Sequence, residues 1–346
     1  AVYLLGTQPL KSVKKTLTAA LDDTDSLVAR RACDSLVRAG LDTTAKFSKR
    51  DPAVNKLVAL LDNEDQFVRY AARTALERTP RNLWAQQVLD MDSAKGPRAP
   101  IEGLLALTHT QQGAADMDAV FAKIASSDAE LSDDELLSAL RVIELAFIRD
   151  APGTDRSAFN QQVGAKLLSA FPTEDLSLNR ELQILLAHME LPGAIDKLLA
   201  YQTPDKSQEE QIHTAYCLRT IQSGWTREER DRFVAWFDRA REMTGGASFE
   251  GFIDFIWQDT LALLPDDEKQ LAAARKDAQI AKRNADALAL LNQLQSESAG
   301  RASELAQMSA QEIKEYLEYD PMAYPKNDDE RAQMLDVGAK AFVKSR

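Results

Sequence analysis

The sequence predicts an all-α fold, an α-solenoid of antiparallel helix pairs followed by a long C-terminal helix and a linker. Three observations predict it. A segment, Leu21-Asp22-Asp23-Thr24-Asp25-Ser26-Leu27-Val28, returns about forty residues later as Leu61-Asp62-Asn63-Glu64-Asp65-Gln66-Phe67-Val68. Its continuation through Ala32, Leu36 and Arg38 is matched by Ala72, Leu76 and Arg78. A period near forty, with an Asp-rich turn before an apolar helix, is the pattern of stacked helix pairs. Nearly every other segment carries helical periodicity, and no convincing alternating run of β-branched residues occurs.

The elements follow in order. A helix from Ser12 to Leu21 leads to the Asp22–Asp25 turn, and a second runs from Ser26 to Ala39, where Gly40 stops it. The acids sit where unpaired helix N–H groups and the dipole favour negative charge. They are read as caps, because a calcium loop needs a longer ligand series and a turn glycine. Pro52 and Val54 open a helix to Leu61, and Gln66 to Arg78 closes at Thr79-Pro80. Ala32 and Ala72 hold equivalent positions and allow close helix contact. Residues 91 to 103, with Gly96, Pro97, Pro100 and Gly103, read as an irregular connection that ends the two clear repeats.

Helices are then expected at Ile101 to Leu107, Ala115 to Ala125, Ser132 to Ile148, Asn179 to Met189, Ala194 to Tyr201, Gln208 to Ile221, Arg227 to Met243 and Phe249 to Leu264. Capping boxes begin at Ser132, Ser207, Thr226 and Ser309, each with Glu three residues on. A long Ala-rich, charge-laced helix spans Asp266 to Gln295, Ser296 to Gly300 breaks it, and a short helix follows at Ala310 to Leu317. Asp320 to Pro325 reads as an extended linker. The expected domains are 1–90, 91–265, 266–325 and 326–346.

Composition excludes several classes. The 346 residues carry 54 acidic against 42 basic side chains, and no Lys/Arg run with interleaved aromatics appears, which argues against a nucleic-acid partner. The acidic balance serves solubility or a basic protein partner. No stretch of about 18 apolar residues is present, so no membrane-spanning segment is expected. Ala1-Val2-Tyr3-Leu4-Leu5-Gly6 has no basic n-region, and the chain reads as a segment of something longer. Cys33 and Cys217 are read as two packed thiols, with a disulfide as the alternative.

No catalytic constellation, no cofactor-binding motif and no metal-ligand spacing emerges. His109, His188 and His213 are single, with no partner at i+3 or i+4, and read as packing or capping residues. Glycine-rich phosphate motifs are missing, and no two carboxylates stand out as an acid and base pair. The densest aromatic region is Trp225, Phe233, Trp236, Phe237, Phe249, Phe252, Phe255 and Trp257. Phe233, Trp236 and Phe237 share one helix face, and Phe252, Phe255 and Ile256 share another, so the two faces are read as packed core. Trp225 and Trp257 are the candidate partner-contact residues, Trp257 because it lies off the Phe252, Phe255, Ile256 face.

The repeats resemble HEAT-type units. A narrower likeness runs through Leu178-Asn179-Arg180-Glu181-Leu182, Pro192-Gly193-Ala194, Gln211-Ile212-His213, Cys217-Leu218-Arg219 and Gly224-Trp225-Thr226. It continues in Phe233-Val234-Ala235-Trp236-Phe237 and Gly245-Gly246-Ala247-Ser248-Phe249. Together these segments resemble the helical middle region of large haem-binding, membrane-bound-dehydrogenase-like proteins of planctomycetes and verrucomicrobia. Such proteins join a β-propeller, a HEAT-like region and a C-terminal cytochrome c domain. Residues Gly338 to Arg346 resemble the first helix of that cytochrome domain, with an ordinary amphipathic terminal helix as the alternative.

The resemblance implies a non-catalytic spacer that positions a dehydrogenase-like domain relative to a c-type cytochrome, in the periplasm or cell envelope. It implies haem c and oxidoreductase activity for the parent protein, and no cofactor in this segment. Partners would be neighbouring domains of the same polypeptide or a separate protein. The alternative is a stand-alone protein-interaction module without a redox role.

Overall fold

The computed structural model describes residues 1–41 and 51–306, with side chains to residue 300, and the isolated positions 329, 332 and 336. The chain divides into two compact units, Ala1–Leu264 and Pro265–Arg346. Among the described residues all regular structure is helical, so the all-α expectation holds.

The first unit holds α1 (Val2–Leu5), α2 (Leu10–Ala20), α3 (Ser26–Arg38), α4 (Pro52–Ala59), α5 (Gln66–Arg78), α6 (Ala85–Leu89), α7 (Arg98–His109) and α8 (Ala114–Ala125). It continues with α9 (Asp133–Ile148), α10 (Ser157–Ala170), α11 (Leu176–Met189), α12 (Ala194–Tyr201), α13 (Gln208–Leu218), α14 (Arg227–Ala240) and α15 (Phe249–Leu263). Each even-numbered helix from α2 to α14 packs on the odd-numbered helix that follows it. The odd-numbered helices also touch in series, α3 on α5, α5 on α7, and onward through α9 and α11 to α13. On the other side α2 meets α4, α6 meets α8, α8 meets α10 and α12 meets α14. This is the pairing that stacked hairpins produce, and it is consistent with the expected solenoid.

The repeat works as its chemistry predicts. Asp25 Oδ1 accepts from the Leu27 N–H at 2.8 Å, and Asp65 Oδ1 accepts from the Phe67 N–H at 2.8 Å. Asp23 and Asn63 hold these caps by accepting from the N–H groups of Asp25 and Asp65, each at 2.9 Å. The clusters are therefore helix starts, with the side chains of Asp23, Asp25, Asn63 and Asp65 spent on backbone donors, while Asp22 pairs with Lys56. Ala32 and Ala72 are fully buried on α3 and α5, whose mutual packing is extensive. Gly40 has a φ of 109°, the left-handed turn that ends α3 without a Cβ penalty. Full capping boxes form at Ser132, Ser207 and Thr226, whereas the one at Ser309 lies outside the described residues.

Three expectations need correction. Residues 91–103 are only partly irregular: α7 begins at Arg98 and runs through both Pro100 and Gly103. Pro100 is the third residue of α7, where the N–H has no intrahelical partner to lose. Gly103 is there for contact, since a Cβ would stand 2.5 Å from Val88 Cγ1 on α6. Gly103→Ala is therefore expected to destabilise the unit by about 1–3 kcal/mol, because Val88 is fully buried and cannot swing aside. Urea unfolding of the variant measures this, and a change under about 0.5 kcal/mol would show that α6 yields instead.

The second correction is α10, which has no counterpart among the expected helices. The third is α16 (Asp266–Ala306), the helix of the second unit, which is continuous through Ser296–Gly300. One interior glycine costs about 1 kcal/mol against alanine, too little to break a helix with no proline in it. At 41 residues α16 is roughly 60 Å long. The expected short helix at 310–317, the linker at 320–325 and the cytochrome-like helix at 338–346 lie outside the described residues.

Candidate functional site

Of the two tryptophans read as partner contacts, the structure places one partly at the surface and one inside. Trp225 is half-buried, stacks on Phe233 at a centroid distance of 5.6 Å, and donates from Nε1 to the Ile221 carbonyl at 2.9 Å. Trp257 is only 2% exposed. It meets Phe237 edge-on at 4.9 Å and lies under the Arg241 guanidinium at 4.7 Å. The buried stripe of α15 is Ile253, Ile256, Trp257 and Thr260, which is i, i+3, i+4, i+7 spacing one residue away from the expected face. Phe252 and Phe255, expected in the core, are therefore 39% and 48% exposed. On α14 the reading holds, with Phe233, Trp236 and Phe237 all buried.

The other singled-out residues have structural partners. His109 Nδ1 is 2.9 Å from Glu77 Oε1, and Glu77 also accepts from Arg73 at 2.8 Å. His188 packs its ring on Phe147 at 4.6 Å. His213 Nε2 lies 3.1 Å from the Arg180 carbonyl, and burial pushes its pKa down. Cys33 and Cys217 are both free and buried, and burial pushes both thiols up to about 12. They are packed thiols with no thiolate at neutral pH.

What the structure brings together, and the sequence did not reveal, is two exposed faces of aromatic and arginine side chains. The first lies on α1, α3 and α5. Tyr3, Phe67 and Tyr70 are 50%, 54% and 56% exposed, with Leu4 and Leu27 exposed beside them. Arg38 sits over the Tyr3 ring at 4.1 Å, Arg31 over the same ring at 5.7 Å, and Arg30 over Phe67 at 5.3 Å. Arg31 has Asp34 as an ion-pair partner at 3.5 Å, whereas Arg30 and Arg38 have no carboxylate partner among the described residues. Leu27 and Phe67 are equivalent residues of the repeat, each following its Asp cap by two. The same capped turn thus sets an apolar side chain at the surface twice, on neighbouring helices.

The second face lies on α13 and α15. Tyr216, 40% exposed, stacks on Phe252 at 6.0 Å, and Phe252 meets Phe255 at 6.4 Å. The Arg219 guanidinium covers Tyr216 at 4.0 Å and Phe255 at 4.6 Å, and it pairs with Asp259. The arginine of this face has its carboxylate partner, whereas Arg30 and Arg38 on the first have none among the described residues.

Between the two faces α9 and α11 carry a carboxyl pair. Glu144 is pushed up to about 8, first by burial, then by its hydrogen bond to Glu181 and that group's charge, against the opposing pull of Arg141. Arg141 Nε is 3.2 Å from Glu181 Oε1. Burial of the carboxyl, with a second carboxyl crowding it, explains the shift. Among the described residues no group of three His, Cys, Asp or Glu side chains is placed to hold a metal ion. No described helix is long and apolar enough to cross a membrane. No protein-family model, curated protein or solved structure matches this chain.

Proposed function

We propose that this chain is a non-catalytic helical scaffold that docks a protein partner through the α1–α3–α5 face. The single observation that carries the reading is the repeated exposed hydrophobe, Leu27 and Phe67, beside Tyr3, Tyr70 and the guanidinium groups of Arg30 and Arg38. Aromatic and arginine side chains are the residues that dominate binding energy at protein interfaces. They are pre-positioned here by stacking, which lowers the ordering cost of binding. The matching partner presents apolar side chains flanked by carboxylates, because Arg30 and Arg38 have no carboxylate partner among the described residues. The guanidinium groups of Arg30 and Arg38 over these rings thus point to an acidic partner, although the chain as a whole carries a net charge of −12.

Pull-down from native extract with the wild type and with a Phe67→Ala/Tyr70→Ala variant tests the reading. Two exposed anchors at about 1 kcal/mol or more each imply at least a tenfold loss of recovery of one defined protein. Its recovery should also fall as salt rises, through the arginines. Equal recovery by both proteins would overturn the proposal. The haem-protein resemblance supports a narrower form, in which the partner is a neighbouring domain of the same polypeptide and the helical stack fixes its distance from a cytochrome. A haem absorption band in the intact native protein, with a Cys-x-x-Cys-His encoded directly after Arg346, tests that form.

A further inference from the structure

A cavity of about 460 Å³ opens among α7, α8, α9 and α10, away from the residues that carry the docking proposal. Its walls are aliphatic: Ile101 and Leu104 from α7, Leu140 and Ile143 from α9, Val163 and Leu167 from α10. The volume would hold about 15 waters at ~30 Å³ each, and walls of this kind give those waters almost no hydrogen bonds. It falls in the range of about 300–1,000 Å³ found for small-molecule sites. The loop after α8 forms part of the lining through Ser127, Asp128, Ala129 and Leu131, and the one cationic lining group is Lys166.

Lys166 is held loosely. Its Nζ donates to the Ser127 carbonyl and to Asp128 Oδ1, each at 3.2 Å. The Asp128 side chain is 90% exposed and that of Lys166 57%. An ion pair this exposed contributes little and is readily exchanged for another anion. Asp128 can rehydrate in place when Lys166 turns to a ligand, so the exchange carries no burial of an unpaired charge.

The geometry points to a binding site for a medium-chain fatty acid, the alkyl chain in the cavity and the carboxylate on Lys166. Burial of the chain provides the affinity, and the ammonium group selects the anionic head over an uncharged one.

Calorimetric titration of the full chain with decanoate and, separately, with decanol tests this. Both should bind with a negative heat-capacity change, decanoate more tightly. Lys166→Met should weaken decanoate about five- to tenfold and leave decanol unchanged. Ala139→Phe, which extends a ring from the wall of α9, should abolish both, and Ile101→Trp does the same from α7 should Ala139→Phe fail to fold. No binding of either ligand by the wild type would overturn the site. Binding that survives a folded cavity-filling variant would place the ligands elsewhere and overturn it equally. A Lys166→Met variant that loses no preference for decanoate would overturn the assignment of the head group.

Discussion

Phe237→Ala is expected to destabilise the first unit by about 3–5 kcal/mol, the range for removing a buried aromatic ring. Phe237 is fully buried and is ringed by Phe233 at 5.6 Å, Trp236 at 5.0 Å and Trp257 at 4.9 Å. Large planar neighbours cannot flow into the space left behind, so the cavity persists and its lining loses contacts outright. Three of the four tryptophans, Trp225, Trp236 and Trp257, lie at this end of the unit, so intrinsic fluorescence in a urea titration reports the loss directly. Phe255→Ala provides the control, because that ring is half exposed and should cost below about 1 kcal/mol. Equal losses at the two positions would show that α15 turns its other face inward in solution.

Glu144→Gln should remove a pH dependence from the same unit. The carboxyl has an ordinary value of 4.5 and is pushed up to about 8 in the folded chain, first by burial. Between those two values the folded state keeps a proton that the unfolded state has released, so wild-type stability falls as pH climbs from about 5 to 8 and levels off above. Glutamine keeps the hydrogen-bonding shape with no proton to lose. The variant should match the wild type near pH 4 and exceed it by about 1–2 kcal/mol at pH 9, a figure discounted because the group is half in water. Melting temperatures across that range are the measurement. Parallel pH profiles would mean that Glu144 is solvated as an ordinary surface acid. His213 works on the acid side with the opposite sign, since burial keeps its ring neutral and stability is lost as pH drops below 6.5.

The frame of the fold was readable because it rests on local chemistry. Asp25 and Asp65 cap their own helices two residues on, Thr226 and Glu229 close a box over one turn, and Ala32 and Ala72 repeat the period. The bounds of α5 and α12 follow the punctuation around them, Thr79-Pro80 and Leu191-Pro192-Gly193. Punctuation misleads where a neighbour decides. Gly103 is a contact residue rather than a break, and Pro100 is harmless at the third residue of α7. The faces of α15 were ambiguous in principle: Phe252, Phe255, Ile256 and Ile253, Ile256, Trp257 are both helical stripes, and only packing against α14 chooses between them. The surface that carries the functional reading was hidden for the same reason. Leu27 and Val28 are adjacent apolar residues, as are Phe67 and Val68, and which of each pair faces water depends on the rotation of the helix against its neighbour. Stacking of Arg30 on Phe67 joins α3 to α5 across the repeat, and no spacing within one helix encodes it.

The substantial helix contacts of the first unit join elements close together in the chain, from α1 on α3 to α14 on α15. Ordering can therefore start at any pair and spread by closing short loops, which favours quick assembly. Rescue does not travel far either. Injury near Phe237 leaves the capped turns at Asp25 and Asp65 intact, so one end can fray while the α1–α3–α5 face at the other persists.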